Sequence, residues 1–249
     1  MRNKESKTIK DKISKELIEE LCKKHNYKIG IRQIAMKLNM NTKKIARIKR
    51  EYNIPTKIRR KRPYQVTLNK DLNGRVAPNI IGQRFKVKAV DKVYSTDITY
   101  LYYGGGLAYL STTKDLCNRE IVAYNLSKTL QIETGYKSIE TMLKNKKPEN
   151  LIIHSDQGVH YTHSMYVNTL AKYEVIQSMS RKGVCLDNAP IESFFGHMKD
   201  ELDLKQIKTY ENLKETIDKY MEYYNNERQQ WTLKKMSPVQ YRKHLLDTA

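Results

Sequence analysis

The sequence predicts a small all-α unit followed by an α/β unit, and three observations carry that reading. Positive charge is concentrated in residues 1 to 92, the front section repeats apolar residues at helical spacing, and strand-like and helix-like runs alternate from Val93 onward. Residues 1–92 hold 27 Lys and Arg against 8 Asp and Glu, and residues 93–249 hold 20 against 19, so the front carries +19 and the rest +1. A basic section joined to a balanced one reads as a polyanion-binding unit attached to different machinery, with nucleic acid as the leading partner.

A chain of 249 residues has room for one full core and an accessory domain. It contains no run of about eighteen apolar residues and begins with charged residues, so neither a membrane span nor a secretory signal is expected, and the protein should stay in the cytoplasm with the nucleoid. Cys22, Cys117 and Cys185 are widely spaced and odd in number, which suits reduced thiols rather than a disulfide or zinc framework.

Residues 1–57 read as a helix-turn-helix DNA-binding domain. Leu17, Ile18, Leu21 and Cys22 mark a stripe on a helix over Lys15 to Lys24. Ile31, Ile34, Ala35 and Leu38 mark a second helix, closed by the turn Asn39-Met40-Asn41. A third helix, capped by Asn41 or Thr42, runs to Tyr52 with Ile45 and Ile48 inward, and Pro55 stops it. Its outer positions, Lys43, Lys44, Arg47, Lys49 and Arg50, suit phosphates and guanine edges in a major groove. Residues 58–88 read as a basic linker, its charge led by Arg59, Arg60, Lys61 and Arg62. A charged three-helix bundle with no DNA role is the bland alternative.

The α/β section opens with a hairpin: Val93 to Leu101 is extended, Gly104 to Gly106 turns, and Leu107 to Thr113 is extended again. Asp97 stands inside the first strand, where an unpaired carboxylate is costly unless it meets a cation. Glu120 to Leu126 supplies a third strand and Ile132 to Lys144 a helix. Leu151 to Ile153 forms a short buried strand ending in His154-Ser155-Asp156-Gln157-Gly158, which puts a second acid at a strand's carboxyl end, where open α/β sheets gather functional groups. A third acid, Glu192, rides a helix that starts around Pro190. With Ile191 as origin, Glu192 and Lys199 fall roughly 100° and 80° to one side of the stripe Phe194, Phe195, Met198 and Leu202, so both can face the sheet edge.

The segments TDITYL with Asp97, HSDQGVHY with Asp156 and DNAPIESFFGHMKDEL with Glu192, with 35 residues between the last two acids, resemble the insertion-sequence transposases with a retroviral-integrase-like core and a DDE triad. The insertion sequence three family is the group it most resembles, and the tail from Tyr223 to Tyr241 is similar to that group's C-terminal signature. The resemblance implies a ribonuclease H-like core over residues 89–205, a mixed five-stranded sheet with flanking helices, and a C-terminal helical extension over 206–249. It implies two Mg2+ ions about 4 Å apart, replaceable by Mn2+, held by Asp97, Asp156 and Glu192 with Asp97 as the bridge, for hydrolysis and strand transfer at element ends and target DNA. It also implies a homo-oligomer on double-stranded DNA and work as a fusion with an upstream reading-frame product. Two departures stand out: Tyr94-Ser95 where many relatives have tryptophan, and Gln229-Gln230-Trp231 where a histidine often follows the tail arginine.

Other readings compete. His154, Asp156, His160 and His163 suggest a zinc cluster but lack a closed four-ligand spacing. Asp187 reads as a helix cap, Asn188 as a residue near the site, and Tyr220, Tyr223 and Tyr224 as core packing. Arg228 and Trp231 are candidates for DNA or subunit contact, with a buried anchor as the equal alternative for Trp231. A DNA-binding regulator, or an RNA:DNA hybrid nuclease on the same fold, would share most of these features.

Overall fold

The computed structural model describes residues 2–57, 76–146 and 148–248, so Arg59, Arg60, Lys61 and Arg62 lie outside the described residues. The chain divides into two compact units, one of Met1–Tyr64 with Gln229–Met236 and one of Gln65–Arg228 with Ser237–Ala249.

The first unit contains α1 (Arg2–Lys24), α2 (Ile31–Lys37) and α3 (Thr42–Glu51). Asn41 caps α3, its side chain accepting from the Lys43 N–H at 2.8 Å. The core joins Ile18 and Cys22 of α1 to Ile34, Ala35, Ile45 and Ile48. Leu17 is 41% exposed, because the inward line of α1 runs through Ser14, Ile18 and Cys22. Lys49 departs from its expected outward position: it is buried and donates to the Pro55 carbonyl at 3.0 Å, so its stem fills the core while its head finds an acceptor.

The second unit is built on a mixed five-stranded sheet in the order β3-β2-β1-β4-β5. The strands are β1 (Val93–Tyr103), β2 (Gly106–Asp115), β3 (Ile121–Ser127), β4 (Ile152–Ser155) and β5 (Ile176–Met179). β1, β2 and β3 pair antiparallel, and β4 and β5 continue the sheet in parallel beside β1. Helices α4 (Glu133–Asn145), α5 (Val159–Thr162) and α6 (Ser164–Lys172) follow β3 and β4; α7 (Ala189–Glu201), α8 (Tyr210–Asn226) and α9 (Pro238–Asp247) close the chain.

Alternation in β1 sorts the two faces of the sheet. Tyr94 joins Ile153, Ile139, Leu143, Tyr166 and Leu170 in one buried cluster, with Ile98 packed against it. Leu101 joins Ile191, Phe194, Phe195 and Met198 of α7 and Leu213, Ile217, Tyr220, Met221 and Tyr224 of α8 in the other. Each fully buried Leu, Ile or Phe here stabilises by about 1.5–3 kcal/mol relative to exposure. Within residues 206–249, α8 supplies a large share of the second core, and the tyrosines read as packing are buried or half-buried there.

Candidate active site

Asp97 belongs to the odd-numbered face of β1, which packs against α7 and α8. In the parallel pair β1/β4, Ser95 is the register partner of His154. Residues two further along each chain, Asp97 and Asp156, therefore emerge on the same side of neighbouring strands. α7 crosses that face with Ile191, Phe194, Phe195 and Met198 turned inward, which brings Glu192 of its first turn to the rim. Asp97 and Asp156 are half-buried and Glu192 is exposed.

Electrostatics record the convergence. Asp97 is held well above the ordinary carboxylate range by burial and then by the negative charges of Asp156 and Glu192, while Lys199 works the other way. Asp156 is raised by burial, and Glu192 by desolvation and then by Asp156. Each aspartate commits one oxygen to a backbone N–H: Asp97 Oδ1 accepts from Ile98 at 2.7 Å and Asp156 Oδ1 from Gly158 at 2.8 Å. Lys199 donates to Thr99 Oγ1, two residues beyond Asp97 on the same face of β1.

Carboxylate oxygens are hard donors, a chemistry that suits Mg2+ better than a soft or nitrogen-preferring metal. Among the described residues no group of three or more His, Cys, Asp or Glu side chains is placed so that it could hold a metal ion. The zinc alternative also separates into parts: His154 is buried among hydrogen bonds, and His163 caps α6 by accepting from the Met165 N–H at 3.2 Å.

The other residues expected to touch DNA divide. In the first unit Lys43 and Arg50 are exposed, Lys44 donates to Ser14 Oγ at 2.7 Å, and Arg47 pairs with both oxygens of Asp11 at 2.8 Å and with Glu51 at 2.9 Å. Arg228 corrects its expectation. It is 6% exposed and grips Glu201 through Nε and Nη2, the latter at 2.6 Å, while Tyr220 donates to the same carboxylate at 3.1 Å. A guanidinium closed into a buried bidentate pair ties the end of α8 to α7 and is not presented to DNA. Trp231 is 51% exposed, with Lys235 Nζ 5.4 Å from its ring centre.

Some residues that shape the site carried no sequence signal. Lys114, buried at the end of β2, donates to the Pro190 carbonyl in the first turn of α7 at 3.0 Å and lies over the Phe194 ring. Burial, then the nearby charges of Arg119 and Arg228, pushes its ammonium down to about 7. Asp187 is not a cap. Its fully buried carboxylate accepts from Asn79 Nδ2, Gln83 Nε2 and the Arg181 backbone and guanidinium at 2.7–3.0 Å, which holds it well below the usual range.

Comparison with known proteins gives this arrangement a class. A family profile described as integrase core domain matches residues 88–185, spanning Asp97 and Asp156, and a second profile of that description matches residues 192–246, beginning at Glu192. A chain of a simian T-cell lymphotropic virus intasome, solved in complex with PP2A regulatory subunit B56 gamma, has TM-score 0.52 at 12% identity over 63% of this chain and 56% of its own. The HTLV-2 integrase catalytic core domain in complex with magnesium, trimeric form, has TM-score 0.50 at 14% identity over 62% of this chain and 97% of its own. Identities this low establish likeness of fold.

The sequence relatives narrow the class. A Haemophilus influenzae protein described as an uncharacterized transposase-like protein is 39% identical over 216 residues, 84% of this chain and 96% of its own. The transposase for insertion sequence element IS904 of Lactococcus lactis is 36% identical over 170 residues, 67% of each chain. Transposase InsF for insertion sequence IS3A of Escherichia coli is 31% identical over 169 residues, 67% of this chain and 59% of its own. The chain belongs to the insertion sequence three family of transposases, with an integrase core domain.

Proposed function

We propose that this protein is a DDE transposase that cuts and joins DNA at the ends of its element, with Asp97, Asp156 and Glu192 as its catalytic carboxylates. The observation that supports this reading is that Asp97 on β1 and Asp156, just past the end of β4, emerge on one side of the sheet, where the helix bearing Glu192 crosses; desolvation raises all three, and the charge of Asp156 raises Asp97 and Glu192 further. The three carboxylates would hold two Mg2+ ions, and bound Mg2+ would supply Lewis-acid activation of the attacking oxygen and charge stabilisation on the leaving one.

The chain's own groups supply the rest. The carboxylates fix the reacting edge of the sheet, and Lys199, on the Asp97 side of α7, offers an ammonium to a nearby phosphate. In nicking, a water oxygen forms a new bond to phosphorus, the P–O3′ bond breaks, and the strand's 3′ oxygen leaves with a proton from the water as a 3′-hydroxyl. In joining, the freed 3′-hydroxyl forms that bond and a target-strand 3′ oxygen departs with the proton, with no protein-bound intermediate. The three-helix unit reads as a helix-turn-helix DNA-binding domain that presents α3 to element-end duplex through Lys43, Lys44 and Arg50. Two ends must be held together, so a homo-oligomer on DNA is the working form, and fusion to an upstream reading-frame product belongs to the same reading.

The test is strand transfer with a labelled element-end duplex, target DNA and Mg2+, comparing the chain with Glu192→Gln. Joined products from the parent and none from the variant support the proposal. End-specific binding without products from either, even after the upstream segment is added, would sink it in favour of a DNA-binding regulator, and hydrolysis without joining would indicate a nuclease.

A further inference from the structure

Immediately behind the carboxylates lies a second line of polar side chains. Ser95, His154 and Ser178 are register partners across β1, β4 and β5, and each is at most 1% exposed. Because side chains alternate along a strand, Ser95 and His154 share the face of Asp97 and Asp156, one step earlier on each strand. Polar groups this deep persist only when satisfied, and these are. Ser95 Oγ donates to Asn188 Oδ1 at 2.7 Å. His154 Nε2 lies 3.0 Å from the Asp187 carbonyl and Nδ1 lies 2.9 Å from Ser178 Oγ, which also accepts from the Ile80 N–H at 3.0 Å.

A carbonyl can only accept, so His154 carries a proton on Nε2 and donates it to Asp187, and in the neutral ring Nδ1 then accepts a hydrogen bond from the Ser178 hydroxyl. The neutral ring thus transmits one fixed orientation from β5 through β4 to the turn before α7. Asp187 and Asn188 end the 3-10 turn Cys185–Asn188, and Glu192 is the fourth residue of the helix that follows. Asn188 occupies the N-cap position, yet its side chain makes no capping bond and reaches Ser95 instead. The local stability of a helix cap is given up for a tie to the strand carrying Asp97. From the other side, Asn79, Gln83 and Arg181 fix the Asp187 carboxylate.

We propose that Ser95, His154 and Asn188 are positioning residues: a buried polar latch, one step behind the reacting edge, that sets the placement of Glu192 against Asp97 and Asp156. The proposal rests on the reading of those three acids as the catalytic set. Neither Ser95 nor His154 meets substrate in this role. Each acts through the two residues that lead into α7, so losing the latch should loosen the Glu192 turn and weaken metal capture while DNA-end binding stays unchanged.

The experiment compares Ser95→Ala, Asn188→Ala, His154→Leu and His154→Gln in the full chain, the last retaining an amide N–H near the Nε2 position. Native-state hydrogen exchange over residues 186–195 is measured without metal, followed by the Mg2+ concentration giving half-maximal strand transfer. Asn188→Ala and His154→Leu are expected to speed exchange in this segment by about 10-fold or more and to raise the Mg2+ requirement about 10- to 100-fold, the range for losing a partner behind a metal ligand. His154→Gln should restore most of both. If His154→Leu fails to fold, Asn188→Ala, which removes only the tie to Ser95, decides. Unchanged exchange in folded Asn188→Ala, or a His154→Gln variant as loose as His154→Leu, overturns the latch. Should Glu192→Gln instead leave strand transfer intact, the catalytic reading fails, while exchange still reports separately whether the latch exists.

Discussion

In the three-helix unit most of the described buried side chains are aliphatic, Ile18, Ile34, Ile45 and Ile48 among them, and Lys43, Arg47 and Arg50 lie at the surface. In the sheet-bearing unit, Ser95, Thr96, Thr112, Asp115, His154, Ser178 and Asp187 are all 1% exposed or less. The difference separates two uses of polarity. Surface cations act on a polyanion additively and at range, so no single one is decisive. Buried polar groups act through fixed geometry in a medium that screens little, so each is hard to replace.

The contrast therefore predicts unequal costs. The largest effect belongs to Glu192→Gln, which keeps shape and removes one charge. Strand transfer should fall by more than about 100-fold, since losing even an outer partner of a metal ligand costs 10- to 100-fold. Element-end affinity should stay within about two-fold, and a gel-shift titration beside the joining assay checks both. Arg228→Ala comes next and acts on stability, leaving Glu201 and Tyr220 around an uncompensated site. A loss of about 3 kcal/mol in urea unfolding is expected, with Arg228→Lys recovering little because an ammonium cannot replace the two-pronged grip. A loss under about 1 kcal/mol would return Arg228 to the surface group.

How much of this was legible follows from the same division. Asp97, Asp156 and Glu192 stand out as candidates because each carboxylate sits inside a β-branched strand, at a strand end or beside an apolar helical stripe, and the resemblance to insertion-sequence transposases joins them into one set. The stripe Ile191, Phe194, Phe195 and Met198 is buried as its spacing required. β5 was not legible from its residues: Ile176-Gln177-Ser178-Met179 is too short to show alternation, and Ile176 is 45% exposed. Lys49, Lys114 and Arg228 were misread or missed because charge alone does not reveal whether a long side chain finds a carbonyl or carboxylate inside the fold. Asp187 looked like a cap since its partners, Asn79 and Gln83, lie more than a hundred residues away in sequence.

Acidity distinguishes groups even within the larger unit. Asp97, Asp156 and Glu192 are raised, so the folded metal-free state holds protons that the unfolded chain has released. Their contribution to stability therefore declines as pH climbs from the ordinary carboxylate range through the raised values. Asp187 is lowered by the Arg181 guanidinium, so its contribution is present above the ordinary range and lost as pH falls through the lowered value. Mg2+ held by the first three, as proposed, would compete with protons there. Its thermal stabilisation should be larger at pH 8 than at pH 5, reaching about 2.7 kcal/mol at a hundred times the dissociation constant. Melting curves with and without Mg2+ at both values check this, and equal stabilisation would argue against metal capture by these acids.

The smallest effects are expected at the surface of α3, and there the ion pairs allow a ranking. Arg47 is already engaged by Asp11 and Glu51, and a DNA phosphate would have to compete with both carboxylates. Lys43 and Arg50 are exposed. If α3 faces DNA, Lys43→Ala and Arg50→Ala should each lower the slope of log affinity against log salt by about 0.9 for every phosphate left without its cation. Arg47→Ala should change the slope less, because its guanidinium is shared with two acids and neutralises a phosphate only in part. At saturating DNA, joining rates for all three should match the parent within about two-fold, since none lies in the unit that carries the carboxylates. A series of binding isotherms at several salt concentrations separates these cases, and an unchanged slope in the Lys43→Ala, Arg50→Ala double variant would remove α3 as the DNA-facing helix.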